Sequence, residues 1–169
     1  MALIQSIKGK SPKIPASCFL ADNSTVVGEV NMGENCSVWY NAVIRGDVNS
    51  IDIGHDTNIQ DGAVIHCTYK KASTKIGNRV SIGHKAIVHG CTIHDDVLIG
   101  MGAIVMDHAV IESGSIIAAG AIVTTGKRVE ANSVYAGIPA KKLKTTSEEN
   151  LEMIKRTAEN YTIYKTWID

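Results

Sequence analysis

Aliphatic side chains return every six residues along most of this chain. They stand at Ile14, Leu20, Val26, Met32, Val38 and Ile44, then at Ile53, Ile59 and Ile65, then at Ile76, Ile82 and Val88. A last run holds Ile93, Ile99, Val105, Ile111, Ile117, Val123 and Val129, and Tyr135 closes it with the phase shifted by one residue after Val88. Calling each of these i, position i+4 is Ala, Ser, Thr, Cys or Val in seventeen of the nineteen units from Ile14 to Val129, with Tyr69 and Lys127 the exceptions. Neither the helical period of about 3.6 nor the two-residue alternation of a strand produces this spacing. A unit of one short strand and one corner does. Three units close a triangular coil whose interior takes the large residue and, beside it, the small one. Coils then stack at about 4.8 Å, each backbone group pairing with the coil above or below. The expected fold is all-β, a single-stranded parallel β-helix. A β-sandwich of many short strands is the alternative, and the lack of hairpin signals argues against it. Gly54, Gly77, Gly83 and Gly100 each follow an aliphatic residue, at corners with little room for a side chain.

Two insertions break the count: three extra residues between Ile44 and Ile53, and five between Ile65 and Ile76. Solenoids accept insertions at corners, often on the functional side. The repeat domain is expected over residues 1–140, ending at Ala136-Gly137-Ile138-Pro139-Ala140, where proline stops strand pairing. Residues 141–169 then form a linker and an α-helix packed on the β-helix or across a subunit boundary. Ser147 caps this helix, Glu148 and Glu149 suit its positive end, and Leu151, Ile154, Ala158, Tyr161 and Ile168 mark its apolar face.

Charge changes the picture mainly by exclusion. Seventeen basic residues balance seventeen acidic ones, so nothing points to nucleic acid or to an anionic membrane. No apolar run approaches the roughly 18 residues of a membrane span, and a cytoplasmic protein is expected. Cys18, Cys36, Cys67 and Cys91 have no CxxC spacing and read as reduced.

Register singles out three of the six histidines. His66 and His89 both occupy i+1, three units apart, so they stack on one edge at about 5 Å, close enough to share a metal ion. Arg45 has the same offset one coil earlier. His84 occupies i+2 on another edge, stacked between Asp61 and Met101, and five residues of extended chain put it up to roughly 16 Å from His89. If three β-helices stand about a threefold axis, the Arg45, His66, His89 ladder of one chain faces the Asp61, His84 ladder of the next. Two histidines from one protomer and His84 from its neighbour then give three ligands and an open position, a catalytic pattern. His55, His94 and His108 read as solvated corner residues.

These segments resemble the γ-class carbonic anhydrase family, trimeric left-handed β-helix metalloenzymes. The likeness covers nearly the whole chain and rests on Ile44-Arg45-Gly46-Asp47, on Asn58-Ile59-Gln60-Asp61-Gly62 leading to His66, and on Ser81-Ile82-Gly83-His84 followed by Val88-His89-Gly90. It implies a homotrimer with one divalent metal per interface, zinc first and iron or cobalt as alternatives, held by His66, His84 and His89. It implies an intersubunit ion pair between Arg45 and Asp61, and Gln60 orienting the metal-bound water with Asn58 and Asp47 in support. Tyr161 is similar to a family tyrosine near the substrate. The chemistry implied is hydration of carbon dioxide to bicarbonate by hydroxide formed on the metal near neutral pH. Two shuttle glutamates of the prototype members are replaced by Val48 and Tyr69, which lowers the expected turnover. The rival is a hexapeptide acyltransferase or a thioester-handling enzyme acting on a CoA-linked metabolite. Such transferases use a lone histidine base, and the exit Gly137-Ile138-Pro139-Ala140-Lys141 resembles theirs. A noncatalytic scaffold is a third class.

Overall fold

The computed structural model describes residues 1–168; Asp169, the last position of the expected C-terminal segment, lies outside them. Short parallel strands stack into three faces around an aliphatic interior. On the first face Val26, Ile44, Ile65, Val88, Val105 and Val123 stand in register. On the second face the column is Met32, Ile53, Ile76, Ile93, Ile111 and Val129. The third carries Leu20, Val38, Ile59, Ile82, Ile99, Ile117 and Tyr135. Nearly all of these side chains are buried, and the i+4 residues Ala42, Ala63, Ala86 and Ala103 are fully enclosed between them. The six-residue period therefore has the physical basis expected of it: each unit contributes one large and one small residue to a common core.

Corners are set by backbone conformation. The residue at i+3 adopts positive φ at Asn23, Asn41, Asp56, Asp96 and Asn132, and at Gly62, Gly102 and Gly120, which explains the Asn, Asp and Gly there. The glycines after aliphatic residues mark close approach instead. A Cβ at Gly83 would lie 2.7 Å from the Ile99 carbonyl oxygen, and one at Gly54 would lie 2.6 Å from the Gly77 carbonyl carbon.

Every irregularity in the count falls at one corner, between the first and second faces. The strand Val43–Ile53 bends through it and absorbs the first insertion. The loop after His66 holds the second, closed by Thr68 and Ala72. The shortened unit after Val88 turns at Gly90, with φ at +55°.

The C-terminal segment differs in part from expectation. Residues Lys141–Thr145, expected as linker, form a strand antiparallel to Ser133–Ala136. Its exposed Lys-rich composition hides the pairing from a pattern search, because no apolar alternation marks it. Helix α1 (Glu148–Tyr164) begins at a capping box in which Ser147 and Asn150 bond reciprocally. It lies on the third face of its own chain, burying Ile154 and Ala158 and setting Tyr161 edge-on to Trp39, ring centroids 5.3 Å apart. Ile168 falls beyond the helix, after a short 3-10 turn, and is exposed rather than part of the buried face.

Candidate metal centre

Strand register places His89 directly over His66. Their rings meet through His66 Nδ1 and His89 Nε2, 3.1 Å apart. Behind each ring stands a carboxylate: Asp47 Oδ1 is 2.9 Å from His66 Nε2, and Asp107 Oδ1 is 2.5 Å from His89 Nδ1. Asp47 also accepts from Arg45 Nη1 at 2.5 Å, and Asp107 from the Thr68 hydroxyl at 2.5 Å. Burial alone pushes both carboxyls up, but for Asp47 the bonds to His66 and Arg45, and for Asp107 those to Thr68 and His89, outweigh it and hold both below the usual aspartate value.

These contacts test the metal reading chemically. A carboxylate at one ring nitrogen makes that nitrogen the N–H donor, so the facing nitrogens of neutral His66 and His89 both present lone pairs. At this distance the two nitrogens can share one proton in a hydrogen bond or donate both lone pairs to one cation. Nitrogens at about 2.0–2.1 Å from one zinc in tetrahedral geometry are about 3.3 Å apart, close to the separation seen. The pair fits a metal ion.

His84 occupies the corner between the third and first faces. Its Nδ1 is 2.9 Å from Asp61 Oδ2, so the third histidine has a carboxylate behind it too. The His84 backbone N–H donates to Gln60 Oε1 at 3.2 Å, Gln60 Nε2 donates to Asn58 Oδ1 at 3.0 Å, and Asn58 Nδ2 to Ser81 Oγ at 2.8 Å. Gln60 and Asn58 are buried, and this chain of bonds leaves one Gln60 N–H to donate outward. A cleft of about 420 Å³ opens there, lined by Gln60, His84, Met101, Asn160, Tyr161 and Tyr164. Burial, and secondarily the Asp61 charge, push the Tyr161 phenol up to about 12, so it keeps its proton at neutral pH.

Within one chain the expected residues therefore form two groups. Arg45, Asp47, His66 and His89 share the first corner; Asn58, Gln60, Asp61, His84 and Tyr161 share the other edge. Arg45 and Asp61 do not meet in the chain, nor do Asp47 and Asn58. Among the described residues no three His, Cys, Asp or Glu side chains converge as a ligand cluster. Sequence reasoning missed Asp107 and Thr68. Asp107 lies at i+2 of its unit, over Gly90, and His89 at i+1, so it is the Asp107 side chain that crosses between unequal offsets. Val48 and Tyr69 line a separate groove of about 320 Å³ beside Asp47, with Lys8 and Lys70 near the Tyr69 ring.

The six-residue coils and the paired histidine edge define a hexapeptide-repeat β-helix protein. A model of the bacterial transferase hexapeptide (six repeats) matches residues 90–125. A hexapeptide transferase family protein from Anaplasma phagocytophilum superimposes with a TM-score of 0.95 at 41% identity, covering 99% of this chain and 98% of that one. The carbonic anhydrase of Geobacillus kaustophilus is 42% identical over 94% of this chain and 87% of its own length. Mitochondrial γ carbonic anhydrase 2 of Arabidopsis thaliana is 38% identical over 94% of this chain, which spans 59% of that relative's length. The chain belongs to the γ-carbonic anhydrase family, whose fold is the left-handed β-helix and whose named members are lyases.

Proposed function

We propose that this protein hydrates carbon dioxide reversibly to bicarbonate at metal sites between the protomers of a homotrimer. One observation carries the reading. The outward side chains of the first face are Thr25, Val43, Val64, Ile87, Ile104 and Ile122, a column apolar from Val43 onward that the single chain leaves partly exposed. The second face presents Asn31, Asp52, Lys75, Thr92, Val110 and Arg128 in the corresponding places, polar except for Val110, and α1 lies on the third. The apolar column is flanked on one edge by His66 and His89 and on the other by Asp61 and His84. Three chains that bury this face around a common axis bring one edge of each against the other edge of the next.

His66 Nδ1 and His89 Nε2 of one protomer and His84 of its neighbour would then hold a divalent ion, zinc in our reading, with iron or cobalt compatible with the same donors. Such an ion supplies hydroxide at neutral pH by lowering the pKa of water. Asp47, Asp107 and Asp61 fix the three imidazoles by accepting from their outer N–H groups. Gln60 offers its remaining N–H to the substrate side and is itself held by Asn58 and the His84 backbone. Arg45 reaches Asp61 of the neighbouring protomer in this arrangement, and Tyr161 closes the cleft as a protonated phenol. Val48 and Tyr69 supply no carboxylate to carry the proton away, so turnover depends on buffer. No helix among the described residues is long and apolar enough to cross a membrane, and reduced cysteines suit the cytoplasm.

The transferase names of the matched repeat model and of the Anaplasma protein make acyl transfer the second reading. It calls for a single histidine base, whereas here each of three histidines has its own carboxylate and two face each other.

Subunit complementation tests the proposal. His66→Ala and His84→Ala should each abolish zinc binding and carbon dioxide hydration. Refolding the two together regenerates intact interfaces at about a quarter of the sites, as random mixing in a cyclic trimer requires. No recovery on mixing places all the ligands in one chain and overturns the intersubunit site.

A further inference from the structure

We propose that Asp107 is the positioning residue that decides which nitrogen of His89 faces His66, and that Thr68 anchors Asp107 for this task. The inference rests on the reading of His66 and His89 as metal ligands and extends it to residues outside the ligand set.

Both carboxylate oxygens of Asp107 are committed. Oδ1 lies 2.5 Å from His89 Nδ1, and Oδ2 accepts from the Thr68 hydroxyl at 2.5 Å. Asp107 follows Val105, which pairs with Val88, so its corner sits one coil above His89. The approach is close: a Cβ at Gly90 would stand 2.5 Å from Asp107 Oδ1, and the His108 N–H donates to the Gly90 carbonyl at 2.8 Å. Any larger residue at position 90 would push the carboxylate off the imidazole.

Thr68 arrives from the loop inserted after His66. The Thr68 N–H donates to Ala72 O at 3.0 Å, and the Thr74 hydroxyl donates to His66 O at 2.5 Å while accepting from the Gly90 N–H at 2.9 Å. The insertion is thus stapled to both histidine strands, and Thr68 crosses to a corner 39 residues further along the chain. A carboxylate held at two points cannot rotate away from His89 Nδ1, and a charged acceptor there keeps the proton on Nδ1 and the lone pair on Nε2. In unrestrained histidine the proton favours Nε2, the nitrogen that here must be free to bind.

The test uses full-length wild type, Asp107→Ala, Asp107→Asn and Thr68→Val, each checked for an unchanged metal-free melting curve. Nitrogen-15 chemical shifts of the metal-free proteins report the proton position, and competition against a chelator reports zinc affinity. The wild type should carry its proton on His89 Nδ1, and Asp107→Ala should move it to Nε2. Zinc affinity should fall about 10–100-fold in Asp107→Ala. Asp107→Asn, which keeps an acceptor, should lose less, and Thr68→Val should loosen amide exchange across residues 68–74 with a smaller loss of affinity. A wild type with His89 Nδ1 unprotonated, or an Asp107→Ala protein matching wild type in both readouts, overturns the proposal. A wild type that holds the proton on Nδ1 but takes up no zinc supports the positioning role and removes the metal reading instead.

Discussion

His66 Nδ1 faces His89 Nε2 at 3.1 Å across one coil of the β-helix, with Asp47 and Asp107 occupying the opposite nitrogens. A cation held between these nitrogens binds the folded chain and not the unfolded one, so metal binding should stabilise the fold. At a free zinc concentration about 100 times its Kd, the gain is about 2.7 kcal/mol. Calorimetric melting with and without zinc should show that increment in wild type and none in His66→Ala. Equal shifts in both proteins would mean that zinc binds elsewhere.

The apolar column on the first face gives a second prediction. Ile87 is 38% exposed in the single chain, and a carboxylate placed there would have to be desolvated on assembly. Ile87→Glu should therefore sediment as a monomer and lose zinc. Lys75→Glu, on the outward side of the second face, should stay trimeric. Sedimentation velocity separates the two, and a trimeric Ile87→Glu protein would remove the first face from the interface.

The coil and its core were legible because every unit writes the same two demands, a large residue such as Ile82 and a small one such as Ala86. The corner signal at i+3 went unread, although Asn41, Asp56 and Asp96 repeat it, because their left-handed backbone serves a turn and leaves no trace in hydrophobicity. Stacking of His89 on His66 could be counted from equal offsets. The place of Asp107 could not, since at i+2 it stands over Gly90 rather than over His89, and only its side chain crosses to the imidazole. The strand Lys141–Thr145 was hidden for another reason: all five of its residues are exposed, so burial imposes no alternation on them. The contact of Asp61 with His84 in one chain, alongside an expected pairing with Arg45 of the next, shows where counting stops. Register fixes which residues share an edge, and side-chain packing decides which of them touch.

Thiol reactivity should be confined to Cys18. Its hydrogen bond with the Cys36 thiol favours the thiolate; burial works against this, and the nearby Lys165 ammonium adds to it, leaving the pKa at about 7. Lys165 is fixed there by bonds to the carbonyls of Ser17 and Asn35, at 2.9 and 3.3 Å. Burial raises Cys67 and takes Cys91 up to about 12, while the bond to Cys18 raises Cys36. Iodoacetamide should thus modify Cys18 first, at a rate that climbs as the pH passes about 7, and Lys165→Met should slow it. Peptide mass spectrometry after brief labelling checks the order; prior modification of Cys67 or Cys91 would contradict it.

Proton export offers the sharpest kinetic prediction. Hydration of carbon dioxide releases a proton, and the carboxylates closest to the histidine pair, Asp47 and Asp107, are both held below the usual aspartate range by their hydrogen bonds. Neither accepts a proton readily near neutral pH. Tyr69 is 55% exposed, in the groove beside Asp47, so Tyr69→Glu can be made without disturbing the core and puts a free carboxylate where solvent reaches it. Lys8 and Lys70 lie near that ring and would lower the proton affinity of the new carboxylate, which limits the gain. In dilute buffer Tyr69→Glu should raise kcat by up to about 100-fold, the low end of what a positioned proton-transfer group contributes, with KM little changed. Concentrated buffer accepts the proton directly, so the two proteins should converge there. A kcat that is insensitive to both buffer and the substitution would mean that proton release does not limit the reaction.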